Sequence, residues 1–419
     1  MSDETSWLTG ASQLLVAFTI EVDNEFEHRM PHRTALSRAA GIAPAGPWLA
    51  SLAMWATFMK FVPPAGITVA ELRLAARTKK LQLDGMRRWG YVTAETADGV
   101  RIDSPKMRAD TVLRPTKNGR AAAVVWAEVV AEVEGRWMQR FGRSPMQNLR
   151  SALTLTSAQR AAELPEYLPV VGYGFWSGEL LAPSKVLRLP EAGEPARSAE
   201  PGRAAEQVGS ARLGRGTPRG LAEPDRPAES CRSAEPGGPG LATLLSRSLL
   251  EFTLIHEPQS PVSLVISENV LPILGSSAVP TRDIAGLTGI GTATSMGMIA
   301  FLVREGYAVV GEASTPKRTK AVALTPLGER MKAEASVGTT GSEDAFARTF
   351  GEAKVDELRA AVWVIHGHPA LAEGMRPYPD GWRAAKPFVA HTNDLLADPR
   401  HALPRYPVVT HRGGYPDGS

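Results

Sequence analysis

Residues 67–119 read ITVAELRLAARTKKLQLDGMRRWGYVTAETADGVRIDSPKMRADTVLRPTKNG, and the plan of this stretch returns about two hundred residues later. Its spacing predicts a helix from Thr68 to Arg77, a turn, a second helix from Lys80 to Trp89, and a hairpin that ends at Leu113. Thr68-x-x-Glu71 is a capping box, with the apolar Ile67 placed as a staple. Gly90 stands where a left-handed helix terminus favours glycine. β-prone residues follow, then a polar turn, the short strand Val112-Leu113, and Thr116 as the cap of a further helix.

Residues 279–328 hold the second copy. Ile67 and Leu72 correspond to Val279 and Ile284, 212 residues on, and Trp89-Gly90-Tyr91-Val92 corresponds to Glu305-Gly306-Tyr307-Ala308, 216 on. Thr116-x-x-Gly119 meets Thr325-x-x-Gly328 at an offset of 209, which also carries Phe141-Gly142 onto Phe350-Gly351 and Leu149-Arg150 onto Leu358-Arg359. One offset held over more than thirty residues points to internal duplication, at a period too long for a solenoid.

Outward from these units the correspondence changes register. Phe18-Thr19 matches Phe252-Thr253 at 234, so the first copy holds 22 extra residues, placed near residues 28–46. Pro169-Val170-Val171 matches Pro407-Val408-Val409 at 238, so the second copy carries about 29 additional residues between Leu358 and Leu403. Ser12 to Glu27 reads as a helix with Leu15, Phe18, Thr19, Val22 and Phe26 along one face. Trp48, Leu52, Trp55 and Met59 form a helical apolar stripe stopped by Pro63-Pro64. Val125, Val129, Val133, Trp137 and Phe141 recur every four residues on a long helix, which Gly338 and Gly341 are expected to interrupt in the second copy.

Composition narrows the class. At 419 residues the prior is two or three domains, each with its own core. With 22% charged residues, 43% hydrophobic ones and a net charge of +3, the chain is ordinary for a soluble protein, so clustering of basic residues matters more than their total. The single Cys231 excludes an intrachain disulfide and fits a reducing compartment. No apolar run approaches the roughly 20 residues that span a bilayer, and the acidic Met1-Ser2-Asp3-Glu4 lacks the basic start of a secretory signal. A cytoplasmic location without membrane contact is expected. Residues 190–240 are rich in Ala, Gly, Pro, Arg and Glu, with Arg-Ser-Ala-Glu-Pro-Gly at 197–202 and again at 232–237, a composition expected to stay disordered. The expected division is 1–182, a linker 183–240, and 241–419 with its C-terminal insertion.

Helix, turn, helix and hairpin is the plan of a winged helix-turn-helix, in which the second helix enters a major groove and the hairpin wing reaches the backbone or minor groove. Ala285 and Gly289 supply the small residues such a turn needs, where the first copy has Arg73 and Arg77. On Gly306-Tyr307, the wing, Leu324-Thr325-Pro326-Leu327-Gly328 and the first copy's Thr116-Lys117-Asn118-Gly119, the chain resembles the MarR family of bacterial transcriptional regulators, over roughly two thirds of its length. That resemblance implies double-stranded DNA as partner, a dimer core of terminal helices, and control by a small-molecule effector held between core and DNA-binding lobe. The family's acidic–basic pair at the wing is absent from Ser314-Thr315-Pro316-Lys317-Arg318-Thr319-Lys320, which has no Asp, and family chains usually hold one lobe rather than two.

The expected fold class is therefore mainly α with small β-hairpin wings: two winged helix-turn-helix domains forming an intrachain pseudo-dimer, monomeric or further paired as a homodimer. The candidate DNA contacts are Thr78, Lys79, Lys80, Gln82 and Arg87 with Lys106 and Arg108 on the first wing, and Thr292, Thr294 and Ser295 with Lys317, Arg318 and Lys320 on the second. Lysine and arginine on phosphate add salt-sensitive affinity, whereas Thr, Ser and Gln reach base edges. Trp48 and Trp55 are weak candidates for an effector pocket, with core packing the competing reading. Gly289-x-Gly291 lacks the third glycine and the preceding strand of a dinucleotide loop. His366-x-His368, His391, His401 and His411 match no tight zinc spacing, so no metal or cofactor is expected. No catalytic activity is expected. The alternatives are an enzyme sited in the histidine-bearing insertion and an interaction scaffold with degenerate lobes.

Overall fold

The computed structural model describes residues 6–34, 46–77, 83–104, 106–157, 163–168, 238–312 and 319–408. The linker up to residue 237, Cys231, His411, Pro169-Val170-Val171, Thr78, Lys79, Lys80, Gln82, Lys317 and Arg318 lie outside the described residues. The fold is mainly helical, with two small three-stranded antiparallel sheets.

In the first unit, β1 (Ile67–Thr68) leads into α3 (Val69–Ala76), counting α1 as Trp7–Arg29 and α2 as Leu52–Thr57. The predicted capping box forms: the Glu71 N–H donates to Thr68 Oγ1 at 3.2 Å, and the Thr68 N–H donates to Glu71 Oε2 at 2.9 Å. Arg77 ends the helix with φ of 52°, a left-handed conformation that favours glycine. The next described helix is α4 (Leu83–Arg88), closed by Gly90 at φ 90°. Strands β2 (Val92–Glu95) and β3 (Val112–Pro115) complete a sheet of order β1-β3-β2, with Ile67 opposite Leu113.

The second unit repeats this with β4 (Val279–Pro280), β5 (Ala308–Glu312) and β6 (Lys320–Leu324) in the order β4-β6-β5 and Val279 opposite Val322. Its helices are α9 (Ile284–Thr288) and α10 (Thr292–Arg304). The same latch ties each sheet to the helix that follows. Thr116 N–H donates to Tyr91 O at 2.9 Å and its hydroxyl to Gly90 O at 2.7 Å; Thr325 makes the identical bonds to Tyr307 and Gly306, at 2.9 and 2.7 Å.

From these latches run α5 (Lys117–Phe141) and α11 (Pro326–Phe350), each of 25 residues, then α6 (Arg143–Ser157) and α12 (Glu352–His366), each of 15. Gly338 and Gly341 do not interrupt α11, contrary to the sequence expectation. Each glycine costs about 1 kcal/mol in a helix, and burial of Met331, Ala335, Ser342, Phe346 and Phe350 along one face overrides that cost.

The helix from Ser12 is longer than expected and is no surface helix: α1 is buried all round from Trp7 to Glu27. It has α5, α7 (Leu241–His256), α12 and the C-terminal insertion packed about it. Trp48 is not on a helix, a second correction. It pairs with Arg33 in an isolated bridge, and α2 starts only at Leu52, whose N–H donates to Asp23 Oδ1 at 2.6 Å. A carboxylate from α1 thus sets that helix's origin, and a single 3-10 turn, Met59–Phe61, follows it.

The halves do not keep separate cores. One continuous hydrophobic cluster runs from Trp7 to Val408 among the described residues. Helix α6 packs against α12 and α1 against α7, while α1 also packs on α12 and α7 on α6. Each half's first helix therefore meets the 15-residue helix of the other half. The insertion, with α13 (Val389–Ala397) and α14 (Pro399–Ala402) beyond α8 (Leu264–Asn269) and the second unit, clasps α1. Trp382 N–H donates to Glu27 Oε1 at 2.7 Å, and Arg383 donates to Ile20 O at 2.9 Å and Asn24 Oδ1 at 2.6 Å. No helix among the described residues is long and apolar enough to cross a membrane.

Candidate nucleic-acid interface

In the first lobe, Arg87 leaves α4 half-buried and donates to Asp84 Oδ1 at 2.8 Å, with Asp103 of the hairpin 3.7 Å away. Arg88 reaches the other Asp84 oxygen at 2.6 Å while staying well exposed. The hydrogen bond from Arg87, reinforced by Arg88, holds the Asp84 carboxyl below its usual range. On the hairpin, Lys106 is exposed, and Arg108 is 85% exposed beside Asp110 at 3.3 Å. Such solvent-facing pairs are worth only about 0–1 kcal/mol, so a phosphate can displace the aspartate.

In the second lobe, Thr292 is exposed at the start of α10 and Thr294 is half-buried. Ser295 is not a base-edge contact: it is 1% exposed, and its hydroxyl donates to Gly291 O at 2.9 Å and Ile290 O at 3.1 Å. A serine one turn into a helix can satisfy itself on the preceding carbonyls, and this one does so inside the core. The outer face of α10 shows Thr292, Ala293, Ala300 and Val303, with no cation before Arg304, which pairs with Glu305 at 2.9 Å. Lys320 stands exposed at the base of the hairpin. Gly289 (φ 65°) serves more than the turn, because a Cβ there would lie 2.3 Å from Ala402 O at the end of α14.

Charge gathers on these units. Residues 67–119 contain eleven Lys and Arg against six Asp and Glu, a net of +5, and residues 279–328 contain five against three, a net of +2. The whole chain carries only +3, so everything outside the two units is net negative. Formal charge is thus unevenly distributed along the chain, positive in the two units and negative outside them.

The two tryptophans separate. Trp55 lies in the core, stacked on Trp126 with centroids 5.9 Å apart, while Trp48 is half-buried beneath the Arg33 guanidinium at 5.2 Å. The histidines are dispersed as well. His366 is buried with Nε2 bonded to Gln13 Oε1 at 2.6 Å, His401 sits on Asp398, and no group of three or more metal-ligating side chains occurs among the described residues. Burial lowers His366 to about 4, so it is neutral at physiological pH.

Two paired constellations escaped the sequence reading. Thr19 hydrogen-bonds Tyr167 at 2.5 Å, and Thr253 hydrogen-bonds Tyr406 in the same way. Leu164-Pro165-x-Tyr167 and Leu403-Pro404-x-Tyr406, 239 apart, were the available signal. Asp23 and Glu257, 234 apart, accept the N–H of Leu52 and Leu264, the first residues of α2 and α8. Burial raises the Asp23 carboxyl well above its usual range against the Leu52 bond, and burial pushes Glu257 up to about 7 against the Leu264 bond. A carboxyl raised in the folded state contributes fully below its ordinary 4.5 and loses that contribution as pH rises through about 7. Glu257→Gln should therefore flatten the fall in Tm between about pH 5 and 8. A wild-type Tm that rises over that interval relative to the variant contradicts this assignment. Comparison of the chain with family models, with curated proteins and with solved structures returned no match.

Proposed function

We propose that the protein is a sequence-specific, double-stranded-DNA-binding transcriptional regulator with two winged helix-turn-helix lobes on one intrachain pseudo-dimeric core. The observation that carries the reading is the repeated unit itself. Strand, helix, helix and hairpin recur with one strand order and one Thr-Gly latch, and the chain's positive charge is concentrated there. A helix seated on a small sheet presents its outer face to a major groove while the hairpin reaches phosphate. The interleaved α1, α6, α7 and α12 take the part that self-association plays between separate chains, and a small-molecule effector acting on this core remains part of the proposal.

The lobes contribute unequally. The first supplies charge through Lys106, Arg108, Arg87 and Arg88, with Lys79, Lys80 and Gln82 in the adjoining sequence. The second offers Thr292 and the uncharged face of α10, so its contribution is contact and shape. Binding to genomic fragments selected by the full chain should weaken steeply with salt, and Lys106→Ala combined with Arg108→Ala should lower the slope of log K against log salt by about 2. Lys320→Ala should lower it by about 1. Binding indifferent to salt and to these substitutions defeats the proposal.

A further inference from the structure

Strand β5 is an edge: in the order β4-β6-β5 nothing among the described residues pairs with its outer side. It is also bare on both faces. Val309 is 53% exposed and Val310 44%, although successive residues of a strand point to opposite faces. The equivalent strand of the first unit is guarded. Ala94 lies opposite Leu113 as Val310 lies opposite Val322, and its carbonyl turns away from β3 to accept the Ile102 N–H at 2.7 Å. Glu95 is bridged to Arg101 beside it, and Val92 and Ala94 are buried. An exposed edge strand is a template for strand addition, and edges are normally blunted by charge, proline or cover. Residues 306–311 of the second unit read Gly-Tyr-Ala-Val-Val-Gly, with neither charge nor proline.

We infer that the β5 edge is a docking surface for a second copy of this chain, the two β5 strands pairing antiparallel about a two-fold axis at Val310. An open edge accepts an extended strand. Strands β3 and β6 are paired on both sides, β1 and β4 are two residues long, and β2 is guarded. Among the described residues, β5 is therefore the strand that this chain itself can offer. By the equivalence with Ala94, the Val310 N–H and C=O point away from β6, so two copies exchange these bonds at the axis. Glu312 then stands opposite Ala308 of the second copy. The two Glu312 carboxylates are about four residues apart along the ladder, roughly 14 Å. That exceeds the screening length of about 10 Å at 0.1 M salt, so no like charges face each other. The pairing uses up both edges and closes at a dimer rather than a fibre. A short strand buries little surface, so the dimer is weak and depends on concentration. The inference rests on strand order and exposure and does not depend on the DNA reading.

The test is sedimentation of the full chain from micromolar to near-millimolar concentration. The wild type should move from monomer toward dimer as concentration rises. Val309→Lys should hold it monomeric, since a lysine on an edge strand blocks strand addition. Thr93→Lys, at the equivalent position of the guarded strand, should associate as the wild type does. Cross-linking reads the geometry. In a Cys231→Ser background, Val310→Cys should give a covalent dimer under a mild oxidant, because directly opposite Cα atoms lie about 5.5 Å apart, within disulfide reach. Val309→Cys should not, its counterpart lying two residues further along the ladder. Should Val309→Lys fail to fold, amide hydrogen exchange of the wild type gives the second reading: protection of β5 should rise severalfold with chain concentration while that of β2 stays constant. A chain that stays monomeric throughout, or a dimer that survives Val309→Lys and does not cross-link through Val310→Cys, overturns the proposal.

Discussion

Glu21→Ala is expected to destabilise the fold by about 3–5 kcal/mol, the cost of breaking a buried ion pair by removing one partner. Glu21 is 3% exposed at the centre of α1. Its Oε2 accepts from Trp137 Nε1 at 2.8 Å and from Arg140 Nη1 at 2.8 Å, and its Oε1 accepts from Arg140 Nη2 at 2.9 Å. The bidentate fork joins α1 to α5, and the insertion closes over it. A Cβ on Gly374 would stand 1.9 Å from Glu21 Oε2 and 2.5 Å from Arg140 Nη1. Alanine at position 21 strands a guanidinium and an indole N–H under that cover, where water has little access. Urea unfolding should show the loss, with Glu21→Gln recovering part of it because the amide oxygen can still accept one bond. A change below about 1 kcal/mol is the value of a solvent-facing pair, and it would mean that the network is wetter than its burial indicates.

Legibility in the sequence followed the range of each interaction. The capping box at Thr68 and Glu71, the glycine termini at Gly90 and Gly306, and the Thr-x-x-Gly latches were readable because each is a local backbone requirement repeated at a fixed offset. The all-round burial of α1 was not readable. Glu21 with Glu25 and Asp23 with Glu27 occupy opposite sides of α1, and groups from distant elements, among them Arg140, Arg136, Leu52 and Trp382, make them interior. Apolar period alone places Trp48 on a helix. The period could not show that Asp23 would fix the helix start at Leu52, nor that Trp48 would pair with Arg33. Ser295 differs in the opposite sense: a polar residue in a candidate recognition helix is expected to face outward, and it is buried. Of the candidate DNA contacts among the described residues, the exposed ones are those carried on hairpins and helix starts, namely Lys106, Arg108, Lys320 and Thr292. There the chain cannot turn inward without losing backbone hydrogen bonds to water or to the sheet.

Gly119→Ala is expected to unfold the first lobe selectively. Gly119 lies in the first turn of α5, and a Cβ there would stand 2.1 Å from Tyr91 O, closer than real contacts allow. That carbonyl cannot withdraw freely, because it accepts the Thr116 N–H at 2.9 Å and so holds β2 to the start of α5. Overpacking usually costs about 1–3 kcal/mol, and a clash with fixed backbone belongs at or above the upper end. Gly328 stands in the same relation to Tyr307 O, at 1.9 Å, so Gly328→Ala should do to the second lobe what Gly119→Ala does to the first. Gly135→Ala is the control. A Cβ at Gly135 meets nothing within 4 Å, and the change should stabilise α5 by roughly 0.5–1 kcal/mol through backbone entropy. Amide hydrogen exchange reads all three. Gly119→Ala should strip protection from β2, β3 and the start of α5 while β5, β6 and α11 keep theirs, and Gly328→Ala should give the mirror result. If either variant instead loosens both sheets to the same extent, the two units do not open independently, and their coupling through the α6–α12 core is tighter than the repeated latch by itself requires.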